Sequence, residues 1–470
     1  MDPILAADLA DLPALLEITR AAAQRALDGL GSRPVATQER PAEPLPVPEH
    51  GSGLRAALAE FTARWEPGFS GSAGPRYLGF VVGGATPAAL AGDWLTSTYD
   101  QNTVTVKDSA ASALEHETVG WLRELFGLST AHDGAFVSGA TMSNLVGLAV
   151  AREWLGERRG VSVADAGVAA LGEVRVFSGE PHSSVYKALS VLGIGRDAVR
   201  LVPLLPGREA VDVAALADAL AAMDGAPAIV VANAGTVNTV DFDDLAAIAA
   251  LKQRFDFWLH VDGAFGAFAA LAPEHAHLVA GIDAADSVCV DLHKWLNVPY
   301  DSAVQFTRRR DLQVRVFQNA AVYLGLPTAN PDFVHLTPES SRRLRALPAW
   351  FTLSAYGRAG HREIVRSNVR GARRLGELLA GLDGVRLLAP VRLNVVCFTL
   401  GDDPTPESVA AVADVVAASG QTFVTPTLLA GVPGIRAAFS NWRTTDADVD
   451  RMFTALRTAI TEAARTPSPG

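Results

Sequence analysis

Between Ala135 and Thr307 short apolar runs alternate with segments of helical period, and that alternation leaves few folds open. The strand candidates are Ala135 to Val137, Val174 to Phe177, Val199 to Val202, Ala228 to Ala232, Trp258 to Val261, Val288 to Val290 and Val304 to Thr307. Helical segments are predicted between them at 142–155, 183–192, 212–223 and 242–255. Strand and helix in alternation imply parallel pairing through right-handed crossovers, with helices on both faces of the sheet. In open sheets of this kind ligands sit beyond the C-terminal strand ends, so the residues that follow each strand deserve the closest reading.

The flanking regions read differently. Residues 3–30 have the spacing of a helix, 31–53 are proline-rich and extended, and a second helix is expected at about 54–65. This opening stretch has too small a core to stand alone and should pack on something else, such as a second subunit. A helix at 107–126 precedes the alternating region. From about 340 a long helix runs to 381, interrupted near Gly360. After it come a strand at Val395 to Thr399, a helix at 406–418, a strand near 436–440 and a last helix from Asp446 to Ala464. The expected division is a helical interface segment (1–85), a large α/β domain with a mostly parallel sheet (86–342) and a smaller C-terminal α+β domain (343–470).

Composition narrows the partners. With 49% hydrophobic and 19% charged residues the chain has the make-up of a well-buried globular protein. Its net charge of −11 argues against nucleic acid, which needs a clustered basic surface; the tight basic groups, Arg308–Arg310 and Arg342–Arg343 among them, are short. No apolar stretch approaches the roughly 18 residues of a membrane span. Asp2, Asp8 and Asp11 are the wrong charge for a signal peptide, and Cys289 and Cys397 lie in apolar runs, so a cytoplasmic protein is expected. Two cysteines allow neither a disulfide framework nor a zinc site.

Chemistry collects at the strand ends. Ser138-Gly139-Ala140-Thr141 follows the first strand and opens a helix, a place where small residues and unpaired N–H groups suit an anion, although it is also an ordinary helix cap. Glu180-Pro181-His182 follows the second; His182 reads either as a cap or as an imidazole able to stack on a flat ligand. Asp262 ends the Trp258 strand, where a carboxylate is costly to bury unless paired, and Ala264 beyond it leaves room for the plane of a ring. Lys294 ends the Val288 strand, between apolar residues and Trp295. There it either snorkels to water or loses hydration and becomes a nucleophilic amine. A phosphate cradle, a stacking ring, a carboxylate for a ring nitrogen and an amine for a Schiff base, in that order, match what pyridoxal 5′-phosphate requires.

These residues lie in SGATMSNL (138–145), EPHSSVYKAL (180–189), AGTVNTVDFDDL (234–245), WLHVDGAFGAF (258–268) and DLHKWLNVPYDSA (291–303). With SRRLRALPAWFTLSAYGRAG (341–360) and RAAFSNWRTTDADVD (436–450), the chain resembles the group II pyridoxal-phosphate-dependent amino acid decarboxylases, most of all those acting on aromatic L-amino acids. The resemblance implies a fold-type I homodimer with the active site at the subunit interface. It assigns Lys294 to the Schiff base, Asp262 to the pyridine nitrogen and His182 to the ring face. Ala140 and Thr141 fall at the phosphate with His293 nearby, Ala264 lies against the ring, and Thr236 or Asn238 approaches from the AGTVNT turn. The implied reaction takes an amino acid in place of Lys294 on the cofactor, releases carbon dioxide, delocalises the carbanion into a ring kept cationic by Asp262, and ends in an amine.

Two departures accompany the resemblance. Relatives carry a proton-donating tyrosine on a loop between the lysine and the Ser-Arg-Arg helix; counting back from Trp350 places Phe333 there, while Tyr323 sits at another offset in the loop Asn319 to Glu339. Relatives with phenylalanine at that position are aldehyde synthases, in which dioxygen is consumed; Tyr323 or His335 supplies the proton instead if the loop folds differently. The second departure is the substrate pocket, where 77–86 and 102–106 offer Val104, Thr105 and Val106 in place of bulky aromatics. Simple decarboxylation is placed first, the aldehyde synthase second, and a carbon–carbon lyase or an aminotransferase using Arg436 after them. Retention of Lys294 together with Asp262 argues against a non-catalytic relative.

Overall fold

The computed structural model of the protein describes residues 1–37, 42–103, 109–319 and 331–465. Its centre is a seven-stranded sheet in the order β1-β7-β6-β5-β4-β2-β3, with β1 Asp133–Val137, β2 Val176–Ser178, β3 Val199–Leu201, β4 Ala228–Asn233, β5 Phe257–Asp262, β6 Ser287–Asp291 and β7 Ala303–Thr307. All seven strands fall where apolar runs predicted them. The parallel expectation holds from β3 to β6, but β7 runs antiparallel to both β6 and β1. The reason is the length of the connection: between Asp291 and Ala303 there is only the short helix Leu292–Trp295, whereas a parallel return needs a crossover of a dozen or more residues. The chain therefore doubles back, and Lys294 is held in the bend. Leu292 N–H and His293 N–H both donate to Ser302 O across it, at 3.0 and 3.1 Å.

The two-residue period of a strand decides which side chains can meet. In β5, Phe257, Leu259 and Val261 enter one apolar core, while Trp258 enters the other, and by the same alternation His260 and Asp262 face Trp258's side. That side is covered by the helix Ala140–Arg158, which packs on β5, β6 and β7 and on the helix Ser183–Val191. The seat is close: a Cβ on Gly147 would lie 2.7 Å from the His260 ring. Glycine there lets the helix descend onto the polar row of β5.

A second sheet, β10-β11-β9-β8, lies in the C-terminal part, with β8 Val385–Leu387, β9 Val395–Leu400, β10 Thr425–Leu429 and β11 Val432–Ala438, all antiparallel. The expected strands appear as β9 and β11; β8 and β10 were missed because each is short and half exposed. The helices Ala346–Ala380, Pro406–Ala418 and Asp446–Arg465 cover this sheet. The long helix breaks at Gly357, φ 59° and ψ −173°, rather than at Gly360. At the N-terminus the single helix expected over 3–30 is two, Pro3–Ala10 and Leu12–Asp28, parted at Asp11 where Pro13 begins a new first turn. Leu5, Leu9, Leu12 and Leu16 on them are exposed. Among the described residues no helix is long and apolar enough to cross a membrane.

Candidate active site

A cavity of about 370 Å³ opens at the C-terminal ends of the parallel strands, lined among others by Ala140, Thr141, His182, Thr236, Asp262, Ala264, His293 and Lys294. The fold thus gathers residues as far apart in the chain as Phe80 and Arg436, and each is placed by a particular local device. The helix Ala140–Arg158 begins on extended Gly139, which provides no side-chain cap, and its first N–H group, that of Ala140, donates to Asp291 Oδ1 instead.

His182 caps the helix Ser183–Val191, as one reading of the sequence expects, and it also lines the cavity. Its Nδ1 accepts from Ser184 N–H at 3.2 Å and lies 2.8 Å from Ser184 Oγ. Burial holds its pKa below the usual histidine value, partly opposed by Asp262. The ring is therefore neutral with its proton on Nε2.

Asp262 is 6% exposed, and each of its carboxylate oxygens accepts a hydrogen bond. Oδ2 accepts from Asn144 Nδ2 at 2.9 Å and Oδ1 from Ala264 N–H at 3.1 Å. Asn144 Oδ1 in turn accepts from His260 Nε2 at 2.9 Å; His260 Nδ1 accepts from Ser287 Oγ at 2.7 Å, and that hydroxyl accepts from Trp258 Nε1 at 2.9 Å. Every donor in this chain points the same way, from the indole to the carboxylate. His260 must be neutral for the chain to close, and burial drives its pKa down to about 4. Sequence reading singled out Asp262 but not Asn144 or His260; the one available signal was the i, i+2 spacing of His260 and Asp262 on a strand.

Lys294 is neither fully desolvated nor free. Its Nζ lies 2.8 Å from Asp291 Oδ2, with the side chain 20% exposed, and 5.7 Å from the centre of the Phe265 ring. Asp291 also accepts from Ala140 N–H at 2.6 Å, linking the lysine bend to the start of the Ala140–Arg158 helix. His293 Nδ1 donates to Ser302 O at 3.0 Å, and burial lowers its pKa. The bend is pinned from outside by Asn297, whose Nδ2 donates to the carbonyls of Gly83, Lys294 and Ser440 at 2.9, 3.1 and 2.7 Å. Gly83 has no room for a side chain, since a Cβ would overlap the Lys294 carbonyl.

Of the two candidates on the 234–239 turn, Thr236 lines the cavity and Asn238 does not. Asn238 is turned outward, donating to Glu209 Oε1 at 3.1 Å and to Leu428 O at 3.3 Å. Glu209, 4% exposed, also accepts from Thr236 Oγ1, Thr239 N–H and Thr239 Oγ1, so a buried carboxylate shapes the turn. The turn then serves Arg436, which donates from Nε to Val237 O and from Nη1 to Phe80 O at 2.8 Å. Its Nη2 is buried without a partner among the described residues, and burial lowers its pKa to about 10, leaving it cationic at neutral pH.

Phe333 and His335 lie outside the cavity lining. Phe333 is fully buried, its ring 4.4 Å from that of His116 and 4.9 Å from the Arg342 guanidinium. Arg342 forms a wholly buried pair with Glu115 at 2.8 Å, which locks this slot. His335 Nδ1 accepts from Asn319 N–H at 3.1 Å. Tyr323 and Val104, Thr105 and Val106 lie outside the described residues, while Phe80 and Val81, from the other expected pocket segment, do line the cavity.

A mixed sheet flanked by helices, with a strand-end lysine, a buried aspartate and an anion-ready helix start around one cavity, is the framework of a fold-type I pyridoxal-phosphate enzyme. The sequence pattern of the pyridoxal-dependent decarboxylase conserved domain matches residues 37–401. The chain belongs to that family, whose cofactor is pyridoxal phosphate and whose members are carboxy-lyases. It is 30% identical over 332 residues to an aromatic-L-amino-acid decarboxylase of Bacillus atrophaeus, covering 69% of this chain and 67% of the relative. It is 25% identical over 449 residues to a 4-hydroxyphenylacetaldehyde synthase of Rhodiola rosea, covering 91% and 90%. Among solved structures, Oryza sativa TDC with PLP and tryptamine superposes with a TM-score of 0.88 at 24% identity, over 98% of this chain and 99% of that one.

Proposed function

We propose that the protein removes the α-carboxyl group of an L-amino acid as carbon dioxide and releases the amine, with pyridoxal phosphate held on Lys294. The donor set around the cavity fits that cofactor. Lys294 supplies the amine, Asp262 a carboxylate for the ring nitrogen, His182 a neutral ring for the cofactor's face, and Ala140, Thr141 and His293 the surroundings of the phosphate, with Ala264 and Thr236 beside the ring. When bound, pyridoxal phosphate provides an aldehyde that condenses with amines and a cationic ring that accepts the electron pair left behind by carbon dioxide. The observation that carries the reading is the one-way hydrogen-bond chain ending on Asp262. It holds the carboxylate in a fixed orientation, as a group that must hold a proton on a ring nitrogen has to be. Arg436 Nη2, cationic and unpartnered at the cavity wall, is the group we assign to a substrate carboxylate.

A second reading, an aldehyde-releasing reaction that consumes dioxygen and yields hydrogen peroxide and ammonia, is favoured by one residue. Phe333 stands where decarboxylating relatives carry tyrosine, and phenylalanine has no proton to give. In its own chain Phe333 is packed away from the cavity, against the His116 ring. We further propose a homodimer, in which a second copy covers the exposed leucines of the N-terminal helices. The buried, unpaired thiols of Cys289 and Cys397 suit the reducing cytoplasm.

One experiment separates the readings. The protein is incubated with a panel of L-amino acids while carbon dioxide, amine, aldehyde and peroxide are followed together. Amine in step with carbon dioxide and no peroxide is expected. Aldehyde with equimolar peroxide would replace the first reading by the second, and no carbon dioxide from any amino acid would remove both.

A further inference from the structure

The helix start assigned to the phosphate already faces a buried negative charge. Asp291, 2% exposed, ends β6 and reaches both groups that the cofactor has to engage. Its Oδ1 accepts from Ala140 N–H at 2.6 Å and its Oδ2 lies 2.8 Å from Lys294 Nζ. Lys294 is the cation of this arrangement. His293 Nε2, 3.7 Å from Asp291 Oδ2, belongs to a ring whose pKa burial lowers, against the opposing pull of Asp291 and of the Nδ1 hydrogen bond to Ser302 O. A phosphate brought to the same helix start meets a like charge a few ångströms away, in surroundings that screen poorly. It also meets an N–H group that is already engaged.

We infer that Asp291 is an internal competitor of the cofactor's phosphate, so that the charge at position 291 sets how tightly the cradle at Ala140 holds an anion. The inference rests on the reading above that Lys294 and the start of the Ala140–Arg158 helix hold pyridoxal phosphate. It concerns affinity rather than turnover. Asp291 is a positioning residue, acting on the bound group through the amide and the ammonium it holds. Removal of one unit of charge at this range, with the side chain's shape kept, is expected to tighten anion binding by at least about tenfold.

The test titrates cofactor-stripped protein, wild type and Asp291→Asn, with three probes: inorganic phosphate, pyridoxal phosphate, and pyridoxal, which lacks the phosphate. Asp291→Ser is prepared alongside, as an uncharged variant should the asparagine fail to fold, and thermal melting reports folding. The expected result is at least about tenfold tighter binding of phosphate and pyridoxal phosphate by the uncharged variant, with pyridoxal changed by less than about threefold. Unchanged or weaker phosphate binding overturns the inference. So does an equal gain for pyridoxal, because the charge would then act through Lys294 alone. Borohydride reduction followed by peptide mass spectrometry keeps the two claims apart. A label on Lys294 with unaltered phosphate affinity sinks only the role of Asp291, whereas no label on Lys294 in the wild type removes the reading beneath it.

Discussion

Asn144→Ala is the perturbation that best probes how the site is built. The Asn144 side chain is fully buried and makes three hydrogen bonds: Nδ2 donates to Asp262 and to Ser184 Oγ, at 2.9 and 3.0 Å, and Oδ1 accepts from His260. Truncation removes a charge-assisted bond to a buried carboxylate, worth about 1.5–3 kcal/mol, and strands the His260 Nε2–H, at about 1–3 kcal/mol. Partial relaxation will recover some of this, so a loss of about 3–4 kcal/mol is expected in urea unfolding, read as a lower midpoint at unchanged slope. The pair Asn144→Ala and His260→Leu is a sharper test. Leucine removes the stranded donor, and replacing both partners of a buried hydrogen bond by apolar groups costs less than removing one. The double variant should therefore be less destabilised than the sum of the single ones, by about 1–2 kcal/mol. Additivity within about 0.5 kcal/mol would refute the proposed hydrogen-bond chain.

Acid should destabilise the protein in a defined window. Burial pushes His260 and His361 down to about 4, so the unfolded chain takes up protons first; stability is level above about 6.5 and falls as pH drops from there towards 4. Asp243, raised to about 6 by burial, works the opposite way and offsets part of that loss between about 6 and 3.8. Urea midpoints across this range should slope less in His361→Gln and more in Asp243→Asn; the reverse order would contradict the assignment. Gly83→Ala places a methyl group against the Lys294 backbone, which cannot yield as a side chain would. It should abolish borohydride labelling of Lys294, and normal labelling would show that the 80–84 segment is not seated as described.

How much of this could be read without coordinates depends on the kind of information. Apolar runs marked every strand of the main sheet; all but the exposed edge strand β3 are buried, and a strand buried on both faces writes its position as a continuous stretch. The motif residues Lys294, Asp262, His182, Ala140 and Thr141 do meet at one cavity, since strand ends in a parallel sheet converge on one edge. The choice between Thr236 and Asn238 stays open in the sequence because a polar residue on a turn can face either way, and buried Glu209 holds Asn238 away from the cavity. Phe333 was aligned by counting along a loop; its side chain instead sits against the Glu115–Arg342 pair.

Sequence by itself determined the strands of the main sheet, their alternation with helices and the residue types at the strand ends, because strand and helix periods and desolvation act over a few residues. Tertiary structure alone decided which polar groups pair. Asn144 meets Asp262 across 118 positions because Gly147 lets a helix settle onto β5, and Ala140 meets Asp291 across 151 because β6 ends beside that helix. A buried charge must find its partners wherever the packed chain brings donors within about 3 Å, and no local pattern encodes that distance.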